Sequence, residues 1–154
     1  MSLTEITGSA RPATAGIDWA NDNHAVCVVD ADGEPVDRAT IAHSKAGIAV
    51  LIKILARHHV REVAIERPDG PVVDAVLAAG LAVFVIPPAQ IKALRKRYGS
   101  AGNKDDRFDA YVLADTLRTD GHRWNRCRRI VATRRRCGRC VGPGVSWWRF
   151  ASPP

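Results

Sequence analysis

The sequence predicts an α/β domain in which helices cover the faces of a mixed β-sheet. Three strand-type segments separated by short turns open the chain, and helix-type and strand-type segments then alternate in the order βββαβαβα. A later segment, residues 81–86, is wholly apolar, as expected of a central strand covered on both faces. With 154 residues, 46% of them hydrophobic and 25% charged, the chain has the length and composition of one globular domain with a core.

The first three strands should form an antiparallel meander. Residues 14–20 are apolar apart from Asp18, and residues 24–30 are apolar and β-branched. Ala31-Asp32-Gly33 is a turn signal, and residues 36–42 alternate as a third strand does. Because the connections are short, neighbouring strands are expected to pair antiparallel.

Helices and strands should then alternate. Ser44 is a candidate N-cap for a helix whose apolar positions recur at helical spacing, at Ile48, Leu51, Ile52 and Leu55. Residues 62–66 (EVAIE) are a short buried strand, and residues 71–79 are a helix with a valine-rich face. Connections through helices favour parallel pairing of the later strands.

Two helices complete the predicted domain. Pro87-Pro88 ends the apolar strand 81–86, and residues 89–97 form a short basic helix. Residues 99–102 (GSAG) form a flexible loop, and residues 105–117 carry an apolar face at helical spacing. This order of elements is that of a ribonuclease H-like domain.

Charge divides the chain into two unlike parts. Residues 1–120 hold 14 basic and 16 acidic side chains, whereas residues 121–154 hold nine arginines and no acid. We therefore predict a flexible leader at 1–13, the folded domain at 14–123 and an unstructured basic tail at 124–154. No segment is apolar enough to cross a bilayer and no secretory signal is present, so a cytoplasmic protein without membrane contact is expected.

Four carboxylates are candidates for one metal site. Asp18 and Glu66 lie in or at the end of apolar strands, where an acid is costly unless it is paired or bound to metal. Asp106 and Asp109 share one face at the start of the last helix. Four hard oxygen donors suit Mg²⁺ or Mn²⁺, and two such ions support phosphodiester chemistry. The alternative is that these acids are strand-end residues in solvent and helix-start acids favoured by the helix dipole.

Three blocks of sequence resemble one protein family. GIDWANDNHAV, VAIERPDGPVVDAVLAAGLAVFVIPP and RKRYGSAGNKDDRFDAYVLADTLRTDGHRW are similar to the N-terminal domain of the DEDD transposases, which are insertion-sequence enzymes known as bridge-RNA-guided recombinases. The family's acidic tetrad maps onto Asp18, Glu66, Asp106 and Asp109. Asp105 stands where the family has a small or polar residue, so it is left out of the tetrad.

The resemblance implies a RuvC-like fold, dependence on a divalent metal, and DNA strand exchange by oligomers assembled on DNA and a structured guide RNA. It also implies a nucleophilic serine in a second domain. Basic residues near the aspartate pair are candidates for binding nucleic-acid phosphates, the alternative being a solvated helix face; these are Lys92, Arg95, Lys96, Arg97, Lys104 and Arg107. The histidines at 24, 43, 58 and 59 lack metal-ligand spacing and are expected at the surface.

The basic tail has the composition of a shifted reading frame. It lacks helical periodicity and acids, and translation of GC-rich codons in the alternative phase gives a helix-like string of leucine and alanine. A one-base insertion or deletion near codon 124 is therefore expected to have truncated the protein. Cys137 and Cys140 have CxxC spacing, but a single such pair is weak evidence for metal binding.

The predicted function is that of the catalytic N-terminal domain of a DEDD transposase, with full transposition not expected of this chain alone. Two alternatives stay open: a stand-alone RuvC-like nuclease acting on branched DNA, and a catalytically inactive nucleic-acid-binding fragment.

Overall fold

The computed structural model describes residues 12–20, 22–99 and 105–127 of the chain. Most of the predicted leader, all but the first residue of the predicted loop 99–102, and residues 128–154 lie outside the described residues. The predictions for Lys104, Cys137 and Cys140 therefore concern positions that the structure does not describe.

The described strands form a single sheet in the order β3-β2-β1-β4-β5-β6. The strands are β1 (Thr14–Trp19), β2 (Asn23–Val29), β3 (Pro35–Ala42), β4 (Glu62–Ile65), β5 (Ala82–Val85) and β6 (Asn125–Cys127). β1, β2 and β3 pair antiparallel, which confirms the predicted meander. β1, β4 and β5 pair parallel, and β6 pairs antiparallel with β5. The sheet is therefore mixed, as the sequence predicts.

Among the described residues, four helices and one 3₁₀ turn flank the sheet. They are α1 (Lys45–Arg57), α2 (Pro71–Ala78), α3 (Pro88–Arg97), α4 (Asp106–Asp120) and the turn Gly121–Arg123. Ser44 is the N-cap of α1, where its side chain accepts a hydrogen bond from the backbone N–H of Gly47, as predicted. Proline opens both α2 and α3, a position where its missing N–H costs nothing.

Strand periodicity divides the core between the two faces of the sheet. Ala15 and Ile17 of β1 belong to a large cluster with Leu51 and Leu55 of α1 and Val72 of α2. On the other face, α4 packs against β1, β2 and β4 through Ala110, Ala114 and Leu113. Because successive strand residues point to opposite faces, Asp18 lies on the side of α4, two residues after Gly16.

The sheet extends slightly past the predicted end of the domain. Residues 125–127, which were assigned to the unstructured tail, form β6 at the edge of the sheet. The chain comes back to the edge of the sheet at this point because the side chain of Trp124 packs against the cluster of Ile86, Ile91 and Leu117. Within the described residues, no helix combines the length and apolar character needed to cross a bilayer.

Candidate functional site

Asp18 reaches the site from the central strand. β1 pairs with β2 on one side and β4 on the other, so Asp18 is fixed near the carboxyl end of a strand with two neighbours. The residue is only 7% exposed. Such burial is costly for a carboxylate unless other groups at the site compensate for it.

Glu66 is delivered by the parallel neighbour of β1. Ile17 and Ile65 are partners in the register, so Asp18 and Glu66 each follow a paired residue at the same edge of the sheet. Glu66 is half-buried. The parallel pairing, rather than proximity in sequence, brings these two acids together.

Asp106 and Asp109 enter from the first turn of α4. Asp109 is 4% exposed, whereas Asp106 is exposed. Asp105 is the N-cap of this helix, and its side chain accepts a hydrogen bond from the backbone N–H of Arg107. The capping role supplies a reason for an acid at position 105 and supports leaving it out of the tetrad.

The four acids line one cleft. Carboxylate oxygens of Asp18, Asp106 and Asp109 lie within 4.8 Å of one another. Glu66 joins them in the wall of a cleft of about 440 Å³ that is completed by Trp19, Ala20 and Arg95. The structure therefore brings together all four predicted residues, three of them at distances suitable for a shared cation.

Burial and the neighbouring negative charges together raise the pKa of Asp18. Burial, followed by the charges of Glu66, Asp109 and Asp106, raises the pKa of this carboxyl from 3.8 to about 7, although Arg95 acts in the opposite direction. Loss of contact with water and repulsion by neighbouring carboxylates both disfavour the charged form of this group. Hard oxygen donors that crowd in this way are those that Mg²⁺ or Mn²⁺ prefers, so the donor set fits a divalent cation.

Arg95 of α3 supplies a positive charge within the cleft. Its guanidinium donates hydrogen bonds through Nε and Nη2 to both carboxylate oxygens of Asp109. The side chain of Arg95 is 29% exposed, and that of Asp109 is 6% exposed. A planar guanidinium fork matches a carboxylate in this way, and its charge persists at any physiological pH.

Sequence comparison identifies the family. A model of the transposase family with the DEDD signature, of the IS110 type, matches residues 15–133, which include every strand and helix described above except the first residue of β1, Thr14. The chain belongs to this transposase family.

Two curated relatives agree with the match. The transposase domain is 38% identical over 128 residues to a Sinorhizobium fredii protein named "Putative transposase y4uE", and this alignment covers 79% of the chain and 34% of that protein. It is 39% identical over 112 residues to the Streptomyces coelicolor "Mini-circle putative transposase for IS117", with 70% of the chain and 27% of that protein covered. The chain thus spans about a third or less of the length of these relatives.

A solved structure supports the fold. RuvC of T. thermophilus, determined in complex with a Holliday junction substrate, superposes on the transposase domain with a TM-score of 0.52 at 18% sequence identity. The match covers 68% of this chain and 90% of that chain. The ribonuclease H-like fold predicted from the order of elements, and the RuvC-like fold that the family resemblance implies, are therefore confirmed.

The predicted phosphate-binding residues of the transposase occupy different positions. Lys92 and Lys96 are exposed on α3, while Arg95 is committed to Asp109 and Arg97 lies 3.4 Å from the carboxylate of Asp120. Arg107 is exposed on α4 and lines a second depression, which adjoins the acidic cleft through Ala20 and Asp106. Of the five predicted residues that the structure describes, four therefore lie on α3 and Arg107 lies on α4.

One prediction about the histidines of the transposase is wrong. His24 is not at the surface but fully buried, with its Nε2 2.9 Å from Nδ1 of His43. Both rings contact Trp19, which lines the acidic cleft next to Asp18. The antiparallel pairing of Trp19 with His24 creates this contact, and the sequence contains no sign of it before the register is known.

A second buried polar residue was not singled out from the sequence. Asp115 of α4, 7% exposed, accepts hydrogen bonds from the hydroxyl of Tyr98 and from Arg118. Arg118 also donates to the carbonyl of Ala31 in the turn between β2 and β3. The network ties α3, α4 and the β-meander together, and the only signal in the sequence is an acid among apolar residues of the last helix.

Proposed function

We propose that this transposase domain binds divalent metal through Asp18, Glu66, Asp106 and Asp109 and serves phosphodiester strand exchange in DNA. The convergence of these four carboxylates on one cleft carries the proposal. Membership in the transposase family supports the class of reaction, and the RuvC-like fold supports a nucleic-acid substrate.

Mg²⁺ or Mn²⁺, when bound, would polarise the scissile phosphate and activate the attacking oxygen. The role of the protein is to hold the ligand carboxylates in fixed positions. Asp18 is fixed by two neighbouring strands, and Asp109 by the packed first half of α4. Such rigid placement of ligands avoids reorganisation during the reaction.

The substrate is proposed to be DNA, with a structured guide RNA and further copies of the protein as partners in the full-length family. Lys92 and Lys96, exposed on the helix that carries Arg95, and Arg107, exposed in the adjoining depression, are proposed to contact phosphates. Because the chain spans about a third of its curated relatives and the resemblance assigns a nucleophilic serine to a second domain, we expect no complete strand exchange from these 154 residues alone.

A shifted reading frame is proposed for the tail. The nine arginines and the absence of acids in residues 121–154 support it. The family match, however, runs to residue 133, so family-like sequence continues past the expected position near codon 124. The genomic DNA sequence would test the proposed shift. If the present reading frame continued without interruption into sequence similar to the family, the shift would be excluded.

One alternative function has a specific observation in its favour. The fold matches 90% of the length of RuvC, whose structure was determined with a Holliday junction. A stand-alone nuclease for branched DNA would use the same four carboxylates. In that case the isolated chain would cut a four-way junction when Mg²⁺ or Mn²⁺ is added.

The test combines metal binding, DNA binding and cleavage by the 154-residue chain. We expect Mn²⁺ binding that Glu66→Gln weakens at least tenfold and that Glu62→Gln leaves unchanged, because Glu62 lies at the other end of β4. Salt-dependent DNA binding without junction cleavage would support the transposase proposal, and cleavage would favour the nuclease. DNA binding without any measurable metal binding would leave only a nucleic-acid-binding fragment.

A further inference from the structure

The carboxylate of Asp109, which the proposed metal site requires, is already paired with Arg95. Asp109 offers two oxygens, and the guanidinium of Arg95 donates to both of them. The same carboxylate lies with those of Asp18 and Asp106 in a set of oxygens within 4.8 Å of one another. Arg95 and a divalent cation would therefore compete for one carboxylate.

Arg95 cannot remove this competition by losing its proton, because a guanidinium stays charged in proteins. A cation bound by Asp18, Asp106 and Asp109 would lie close to a fixed positive charge in a partly buried cleft. Repulsion between like charges is stronger there than in bulk water. Binding of the metal and retention of both Arg95 hydrogen bonds therefore oppose each other.

We propose that Arg95 is an exchangeable counter-ion of the acidic cleft. It neutralises Asp109 when no metal is bound and gives up its two-pronged bond to that carboxylate when a divalent cation binds. The inference rests on the proposed function, since it assumes that the four carboxylates hold metal.

The surroundings of Arg95 permit the exchange without movement of α3. The helix is anchored on either side of Arg95 by buried Ile91 and by the hydrogen bond from the Tyr98 hydroxyl to Asp115. The side chain of Arg95 is long and 29% exposed, so its guanidinium can turn toward solvent while the helix backbone stays in place.

A released guanidinium would lie at the margin of the cleft, on the helix that also carries the exposed Lys92 and Lys96. Phosphate accepts the same two-pronged hydrogen bonding as carboxylate. The exchange would thus make Arg95 available to a nucleic-acid phosphate only in the metal-loaded state.

The experiment measures Mn²⁺ affinity of the full chain by calorimetry in three proteins. Arg95→Met keeps a long apolar stem but removes the charge, and we expect it to bind Mn²⁺ at least tenfold more tightly than wild type. Arg57→Met is the matched control, because Arg57, like Arg95, lies in the last turn of a helix beside an aspartate, here Asp37, but belongs to α1. Its affinity should stay within twofold of wild type.

A second measurement requires no variant. The Nε–Hε resonance of Arg95 in the wild-type protein should shift when Mg²⁺ saturates the site, as the bond to Asp109 is lost. Equal or weaker Mn²⁺ binding by Arg95→Met would overturn the inference, as would an unchanged resonance at saturating Mg²⁺. Absence of Mn²⁺ binding by wild type would instead contradict the metal site itself, so the two failures are distinguishable.

Discussion

Gly16 of β1 and Ala110 of α4 are in such close contact that a Cβ atom at position 16 would lie 2.1 Å from the carbonyl oxygen of Ala110. The missing side chain allows α4 to lie directly on the central strand. Asp18 is two residues after Gly16, and Asp109 is adjacent to Ala110. The contact therefore sets the distance between two acids of the cleft.

Substitution of Gly16 should separate the strand from the helix. Gly16→Ala would place a methyl group against backbone atoms of Ala110 and Ala114, which cannot move as a flexible side chain can. We expect a loss of about 3 kcal/mol or more in the free energy of unfolding, in the upper range for overpacking. Urea denaturation would measure it.

Gly121→Ala is the control for this prediction. A Cβ atom at position 121 would meet only Leu117 Cδ1, at 3.5 Å, which is an ordinary contact. Its effect should stay below about 1 kcal/mol. Equal stability of Gly16→Ala and Gly121→Ala would contradict the close approach of α4 to β1.

Ionisation of Asp18 should make the metal-free protein less stable as pH rises. Its pKa is about 7 in the folded chain against an ordinary 3.8, so between these values the folded state retains a proton that the unfolded state has released. Stability from this group is complete below about pH 4 and is lost as pH approaches 7. At about 1.4 kcal/mol per pH unit, the upper limit is roughly 4 kcal/mol.

Asp18→Asn should remove this dependence. In EDTA, we expect the variant to be more stable than wild type at pH 8 and similar to it at pH 4, as measured by urea denaturation. Asp32→Asn, at an exposed position in the turn after β2, should follow the wild-type pH profile. Parallel profiles for wild type and Asp18→Asn would refute a raised pKa.

Protonation of the buried His24 should make the protein less stable as pH falls. Burial, then the neighbouring His43, lowers the pKa of His24 below its ordinary 6.5. The folded state thus favours the neutral ring, and the stability gained above pH 6.5 is lost as pH falls through the lowered pKa. His24→Phe, which keeps a ring against Trp19, should lose less stability than wild type between pH 7 and 5.

Thermal unfolding at several pH values would compare the two proteins. His122→Phe serves as the control, because His122 is exposed in the 3₁₀ turn. If His24→Phe retained the full wild-type response to acid, another group would have to account for it.

The hydroxyl of Tyr98 should contribute to stability through Asp115. Burial and then its hydrogen bond to Asp115 raise the pKa of Tyr98 to about 12, so the hydroxyl remains a donor at physiological pH. Tyr98→Phe would deprive a buried carboxylate of this donor and should cost about 2 kcal/mol. Tyr111→Phe, in the same aromatic cluster, retains the Tyr98–Asp115 bond and should cost clearly less in the same denaturation experiment.

The sequence by itself determined the order of the elements, the meander and the positions of the four acids. The apolar run interrupted only by Asp18 marks 14–20 as a strand, and Ser44 marks the start of α1, because both signals are local. The acids at 18 and 66 could be recognised because charge inside an apolar strand is unusual. The resemblance then added the tetrad and the family.

Tertiary structure alone decided which groups meet. The register of β1 with β2 buries His24 against Trp19, and the packing of α3 on α4 places Arg95 on Asp109. Trp124 packs against the core and β6 pairs with the sheet, although the composition of residues 124–154 predicts a tail. Contacts of this kind join residues far apart in the chain, and their energies depend on register and helix position, which local sequence patterns do not encode.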